Sequence, residues 1–368
     1  MTQSPRTVRS STPAAGTTRR PTSTVAVQRN DTLDLPQYAY EQLLDAKRGQ
    51  ANARTNTSRV NASLPVDSWH VIDDQMYEVY QDTTVIVGDL RAAGLEVGRD
   101  IMQKFDSWNL VDDSGEAEVD MTPETATPES TVSHGMDGVP VPIIHDDFSI
   151  GFREGSAANS MNPTPDSLET LGAAVTTRHV TERIEELVIG NPNGAPYQVG
   201  SHGDTFKLYG LTDHPDTNTS TFDENWTTTN EADDGTTLRT DIRRMRSILK
   251  NDNNVRPGGE GYWLYFGTNL FDALDNVDTE GDGNMVQRER IENLANIGQI
   301  RESEFLPEDS ALMFRATNDI VDLGVANDIQ MVQWEDPFRD YWKCLASIYP
   351  RVKSTTTGQS GIAYFTAS

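Results

Sequence analysis

Cysteine is almost missing from this chain: Cys344 is the only one among 368 residues. An internal disulfide is therefore excluded, and an intracellular site of assembly fits. Long apolar runs are missing too, since no segment approaches the ~18 apolar residues that a membrane-spanning helix needs. The pair Arg19-Arg20 invites an export reading, but the PTSTVAV that follows is too short and too polar for a signal core. Ready-made catalytic signatures are also missing: there is no Walker loop, no HExxH, no G-x-S-x-G and no CxxC. The six histidines (His70, His134, His145, His179, His202, His214) are scattered, none four residues from another. Each reads as a surface or hydrogen-bonded residue, with His179 at the packed edge of a long helix and His214 in a tight turn.

Lysine is scarce, supplying only six of the 30 bases: Lys47, Lys104, Lys207, Lys250, Lys343 and Lys353. Against them stand 57 Asp and Glu, leaving a formal charge of −27. A surface rich in carboxylates and poor in lysine suits molar salt, where the Debye length is only ~3 Å and self-repulsion is screened. That composition points to a haloarchaeal origin, with an ordinary acidic mesophilic protein as the alternative. Counting glycine and leaving out tyrosine, roughly 40% of the residues are apolar, below the ~45–50% of compact domains. A flat or extended protomer that shares stabilising contacts with neighbours fits that deficit.

What is present is unevenly spread. Residues 1–30 are rich in Ser, Thr, Pro and Ala and carry Arg6, Arg9, Arg19, Arg20 and Arg29 with no acid, so the rest of the chain holds −32. Such an arm is either solvated or orders on an anionic partner. Its arginines suit two partners equally: phosphates, neutralised without reading sequence, or carboxylates on neighbouring subunits. YAYEQLLDAKRG then has a helical pattern, and from Trp69 the positions Ile72, Met76, Tyr77, Val79 and Tyr80 have mixed helical spacing. Leu90 to Ile101 reads as a strand or helix end. Phe105 to Val111 opens an extended excursion whose tip, Asp112 to Glu129, has seven acids and no base, with Pro123 and Pro128 excluding a helix across it. On the return, Val139, Val141 and Ile143 share one face and Phe148, Ile150 and Phe152 the other, which predicts a bulge or bend between Ile144 and Asp147.

A helix of about twenty residues is predicted to open near Asp166, with Glu169 completing a capping box, and to close at Gly190-Asn191-Pro192. Its expected apolar face is Leu168, Leu171, Val175, Ile184, Leu187 and Val188. Beyond it, TDIRRMRSILK, NLFDALDNV and RERIENLANIG read as helices, and YWLYF, ALMF and IQMVQW as strands.

The order of these blocks is VPVPIIHDDFSIGFREGSAANS, one long helix and then YGLTDHPDTNT. Together with the earlier SWHVIDDQMYEVY, it resembles the encapsulins and the tailed-virus major capsid proteins that share the Hong Kong 97-type fold. The resemblance spans roughly residues 66–368 and implies an α+β chain. It implies an N-terminal arm (1–65), a first part of a peripheral domain (66–104) and an extended loop (105–160) reaching over a neighbouring subunit. It further implies a peripheral segment with the spine helix (161–210), an axial domain (211–340) and returning peripheral strands (341–368).

One motif points elsewhere. Asp278, Glu280, Asp282, Gly283 and Glu289 fall at positions 1, 3, 5, 6 and 12 of a calcium-loop pattern, with a long Glu at position 3 where Asp or Asn is usual. Either the loop holds Ca²⁺ or Mg²⁺, or it is a solvated acidic turn. The leading expectation is a non-enzymatic major capsid protein of a haloarchaeal tailed virus, with hexamers and pentamers in an icosahedral shell around non-specifically held double-stranded DNA. High salt is its expected medium and the virion, assembled in the host cytoplasm, its expected place. Portal, minor capsid or decoration proteins are candidate partners, and no membrane is involved. The alternative is an encapsulin-type shell around a cargo enzyme, which needs neither the basic arm nor the acidic hairpin. A third class, a calcium-dependent binding protein or hydrolase, leaves the arm unexplained.

Overall fold

The computed structural model describes residues 66–111, 134–151, 168–192, 194–201, 204–223, 236–275, 286–336 and 338–367. The chain opens with α1 (Val66–Thr83), α2 (Ile86–Ala92) and β1 (Glu96–Gly98). In α1, Ile72 and Met76 stand one turn apart and are buried while Tyr77 faces out, an amphipathic stripe. Its end is marked by Thr83 and Thr84, whose hydroxyls donate back to the carbonyls of Val79 and Tyr80 at 2.8 and 2.9 Å. Gly94, at φ 72°, turns the chain from α2 toward β1.

Next come β2 (Phe105–Val111) and β3 (His134–Pro140), paired antiparallel with Phe105 opposite Pro140. β4 (Ile144–Gly151) then leaves this ribbon for a different sheet. The bend expected between Ile144 and Asp147 therefore lies earlier, at residues 141–143. Pro140 and Pro142 bring no ladder donors, so pairing breaks there. The long helix is α3 (Leu168–Ile189), so Asp166 of the expected capping box lies outside the described residues.

The remainder is β5 (Tyr197–Ser201), β6 (Asp204–Leu208), β7 (Asn218–Thr221), α4 (Thr236–Ser247), β8 (Tyr262–Phe266), α5 (Thr268–Ala273), α6 (Gln287–Glu292), β9 (Ile297–Glu302), β10 (Ser310–Phe314), β11 (Val321–Asp336), β12 (Arg339–Val352) and β13 (Ile362–Thr366). A π-helical turn, Ile248–Asp252, extends α4. Two main sheets result, β1-β11-β12-β4 and β7-β13-β10-β8-β9, with β2–β3 and β5–β6 as separate ribbons.

Sheet membership divides the chain differently from the expected boundary at 340/341. The IQMVQW strand lies in β11, which pairs along β12 in the first sheet, whereas β13 joins the second sheet between β7 and β10. A local apolar pattern identifies a strand but not its partner. The second sheet is buried on both faces. Trp263, Tyr265, Leu312 and Phe314 face the core beneath α1, α2 and α3, while Tyr262, Leu264, Phe266 and Met313 face a second core under α4.

The face that α3 buries differs from expectation. Ile184, Leu187 and Val188 are inside, but Leu168, Leu171 and Val175 are 46%, 52% and 45% exposed. At that end the helix buries Thr170, Ala173, Thr176, Thr177 and Thr181 instead. Small residues let the strand layer approach closely: a Cβ on Gly172 would stand 2.4 Å from the ring of Phe148. Burying hydroxyls costs little here, because Thr176 donates to the Gly172 carbonyl (2.9 Å) and Thr181 to that of Thr177 (2.7 Å).

Candidate functional site

The root of the β2–β3 ribbon is fixed by a buried charge network. Asp106 on β2 meets Arg99 at 2.9 Å and Arg351 on β12 at 3.0 Å, and Arg351 reaches on to Asp322 of β11 at 3.0 Å. Lys353 closes the chain against Asp322 at 2.5 Å, and Tyr349 donates to Asp106 at 3.2 Å. Arg351 also lies over the Trp108 ring, 5.0 Å from its centroid. Asp106, Asp322 and Arg351 are each at most 5% exposed. Buried charges are tolerated when every one has a partner, and here three cations enclose two carboxylates. The extended ribbon thus leaves the first sheet from a rigid root.

A second joint ties α3 to the second sheet. Glu185, fully buried, accepts the backbone N–H groups of Ile86 (2.5 Å) and Val87 (3.2 Å) at the start of α2. Burial pushes its carboxyl up to about 7 in spite of those amides, and the nearby Asp89 adds to the rise. Asp89 accepts the Tyr265 hydroxyl at 2.8 Å, is bonded by Gln299 and is bridged by Arg301 at 3.3 Å. Helix α3, helix α2 and strands β8 and β9 are thereby linked through polar groups in an otherwise apolar junction. No sequence motif marks this joint, because its members lie as far apart in the chain as Asp89 and Gln299, 210 residues, and beyond.

Beside the ribbon lies a cleft of about 530 Å³ lined by Trp108, Met136, Lys207, His214, Asp216 and Thr356, among others. His214 Nδ1 accepts the Asp216 N–H at 3.2 Å, the tight turn that DHPD predicts, and burial lowers its pKa. The Ser354 hydroxyl donates to the Asp216 carboxylate at 2.6 Å and not to the imidazole, so this trio lacks the hydroxyl–imidazole bond of an activated nucleophile. His179 is half exposed and bonds Asp146 of β4 at 2.8 Å, which places it at the seam between helix and sheet. Cys344 is buried against Thr177.

Of the expected calcium loop, Asp278, Glu280 and Asp282 lie outside the described residues. Glu289 sits in the first turn of α6. Arg6, Arg9, Arg19, Arg20 and Arg29, the YAYEQLLDAKRG segment and the acidic tip 112–129 also lie outside them. Among the described residues, no group of three or more His, Cys, Asp or Glu converges as a metal site, and no helix is long and apolar enough to cross a membrane.

A family model described as "Family of unknown function (DUF6260)" matches residues 56–365. The chain belongs to this family. No curated protein matches the sequence of this DUF6260 member. Among solved structures, the capsid of Myoviridae phage XM1 is similar over 78% of this chain and 94% of its own, at 12% identity and a TM-score of 0.57. The virus-like particle from Pyrococcus furiosus is similar over 81% of this chain and 98% of its own, at 11% identity and a TM-score of 0.52. The Microbacterium phage Oxtober96 structure is similar over 87% and 99%, at 13% identity and a TM-score of 0.51. These likenesses establish the fold: this DUF6260 member has the mixed α+β, Hong Kong 97-type architecture that its block order implied.

Proposed function

We propose that this chain is a major capsid protein, self-assembling as hexamers and pentamers into an icosahedral shell that encloses viral double-stranded DNA. One observation carries the reading: the similarity in fold extends over 94% of the length of the chain in the capsid of Myoviridae phage XM1 and 78% of this one. Function then resides in contacts between copies, and the role is structural, not catalytic. In that reading residues 1–65 are the arm, 105–160 the extended loop over a neighbour, and the two main sheets the peripheral and axial parts. The virion is its place, assembled in the host cytoplasm with portal and minor or decoration proteins. The acidic, lysine-poor composition supports a virus of haloarchaea, and a Ca²⁺ or Mg²⁺ ion at Asp278, Glu280, Asp282 and Glu289 would bridge carboxylates that otherwise repel.

The similarity to the Pyrococcus furiosus virus-like particle supports a second reading, an encapsulin-type shell around a cargo enzyme. The basic arm and the acidic hairpin favour the virus, since a cargo shell needs neither. The test is size-exclusion chromatography and negative-stain microscopy of the full chain in molar salt. Rings of five and six or closed shells are expected. A compact monomer at high protein concentration would exclude both shell readings, and shells that hold a protein and no DNA would select the second.

A further inference from the structure

Many cations of the folded body are engaged with a carboxylate or ring, as in Arg91–Glu96, Arg99–Asp106, Arg183–Glu186, Arg288–Asp275 and Arg351–Asp322, and those that are not include the scattered Lys104, Lys207, Arg256 and Arg339. Helix α4 differs in gathering such cations into one line. Its core line is Leu238, Ile242, Met245 and Leu249, spaced four, three and four, all buried beneath the second sheet. One position further round runs a line with the same spacing, Arg239, Arg243, Arg246 and Lys250, so four cations share one side of the helix and its π-turn. Among the described residues none of the four forms an ion pair. Arg243 and Lys250 are exposed, and Arg246 donates to the Ala295 carbonyl at 2.6 Å. The one acid within α4, Asp241, is fully buried and held by Arg244 at 3.3 Å. Asp252, two residues past Lys250, is the remaining acid of the π-turn.

A run of unpaired cations about 16 Å long, at 1.5 Å rise per residue, is out of place on a chain of −27 unless an anion meets it. We propose that the α4 stripe of Arg239, Arg243, Arg246 and Lys250 is a sequence-independent contact for the phosphate backbone of double-stranded DNA. This rests on the shell reading for the presence of the polymer. DNA carries one charge per ~1.7 Å of axis, so an acidic shell wall repels it everywhere except where cations outnumber acids locally. With a screening length of ~8 Å at physiological salt and ~3 Å in molar salt, the local stripe and not the net charge decides the contact. Three of the four are arginines, whose planar fork meets phosphate with two parallel bonds. No base is read, because a phosphate contact carries no sequence information.

The experiment titrates two unrelated duplexes of about 30 base pairs against the full chain by fluorescence anisotropy, across about 0.2–1 M salt, above the dilution at which the chain is expected to unfold. Circular dichroism at each salt keeps only conditions where parent and variant are folded. Replacing all four residues with Gln should lower the slope of log K against log salt by about 3 to 4, equally on both duplexes. A triple variant, R239Q/R243Q/K250Q, leaves the Arg246 bond intact and should lower it by about 3, which covers a quadruple variant that fails to fold. The control R178Q/R183Q, whose arginines already pair with Glu182 and Glu186, should leave the slope unchanged. Microscopy of the same proteins in molar salt reads assembly separately. Equal slopes for parent and variants overturn the proposal. Equal slopes with loss of closed shells would show that the stripe meets carboxylates of a second copy, leaving the shell reading intact. A slope loss in proteins that never form shells would sustain the DNA contact while the shell reading fails.

Discussion

At the scale of single residues, Glu185 is the group whose chemistry departs furthest from its surroundings. Its side chain is sealed at the start of α2 and its carboxyl titrates near 7, against about 4.3 for a solvated Glu. A raised carboxyl pKa means that the folded state holds the proton more tightly than the unfolded one, so acidification favours folding through this group. Its contribution falls as pH rises from about 4.5 to about 7 and is constant above that. Glu185→Gln keeps the shape and removes the titration. The wild type should therefore gain stability relative to this variant on going from pH 7 to pH 4.5, by about 3 kcal/mol. Denaturant melts of both proteins at several pH values check this, and a pH-independent difference would place the negative charge elsewhere. None of this was legible in the sequence, where Glu185 is one acid in a helix with others and carries no motif.

At the scale of elements, the seam between α3 and the first sheet was half legible. The length of the helix, its stop at Gly190 and the buried trio Ile184, Leu187 and Val188 followed from periodicity and turn chemistry. The outward turn of Leu168, Leu171 and Val175 did not, because hydrophobicity ranks leucine above threonine as a core residue and takes no account of how closely a sheet must approach. Phe148 lies flat on Trp342, 5.8 Å between centroids, and presses on the helix where Gly172 leaves room. Gly172→Ala should accordingly cost about 1–3 kcal/mol, as an overpacked contact does. Gly98→Ala, with open space at its Cβ, should lie within about 0.5 kcal/mol of the parent. Thermal or urea melts of the two variants check the contrast. Equal melting points would mean that Phe148 yields freely and that small residues are not what seats the helix.

At the scale of the whole molecule, charge would govern how copies meet in the proposed shell. With −27 on each chain, tiling sets many like charges side by side, and only screening or bound cations relieve the repulsion. The Debye length grows from ~3 Å at 1 M to ~10 Å at 0.1 M salt, so repulsion across subunit contacts returns as salt is diluted. Dialysis from molar KCl to about 0.1 M should dissociate shells or unfold the chain, read by light scattering and circular dichroism. Shells unchanged by that step would remove the argument for a halophilic origin.

The chain's own sequence determined what is set locally: the strands YWLYF and ALMF, the helices of the second sheet's cover, the His214 turn, and the order of blocks that gives a Hong Kong 97-type fold. These follow from side-chain period and turn residues, which act over a few positions. Tertiary structure alone decided which sheet each late strand joins, which face of α3 is inside, and that Arg99, Asp106, Asp322, Arg351 and Lys353 form one network. It likewise separated the unpaired cations of α4 from the paired ones, which sequence spacing treats alike. Those outcomes depend on which distant groups exclude water together, and burial decides whether a charge needs a partner, costs stability without one, or stays free to meet another molecule.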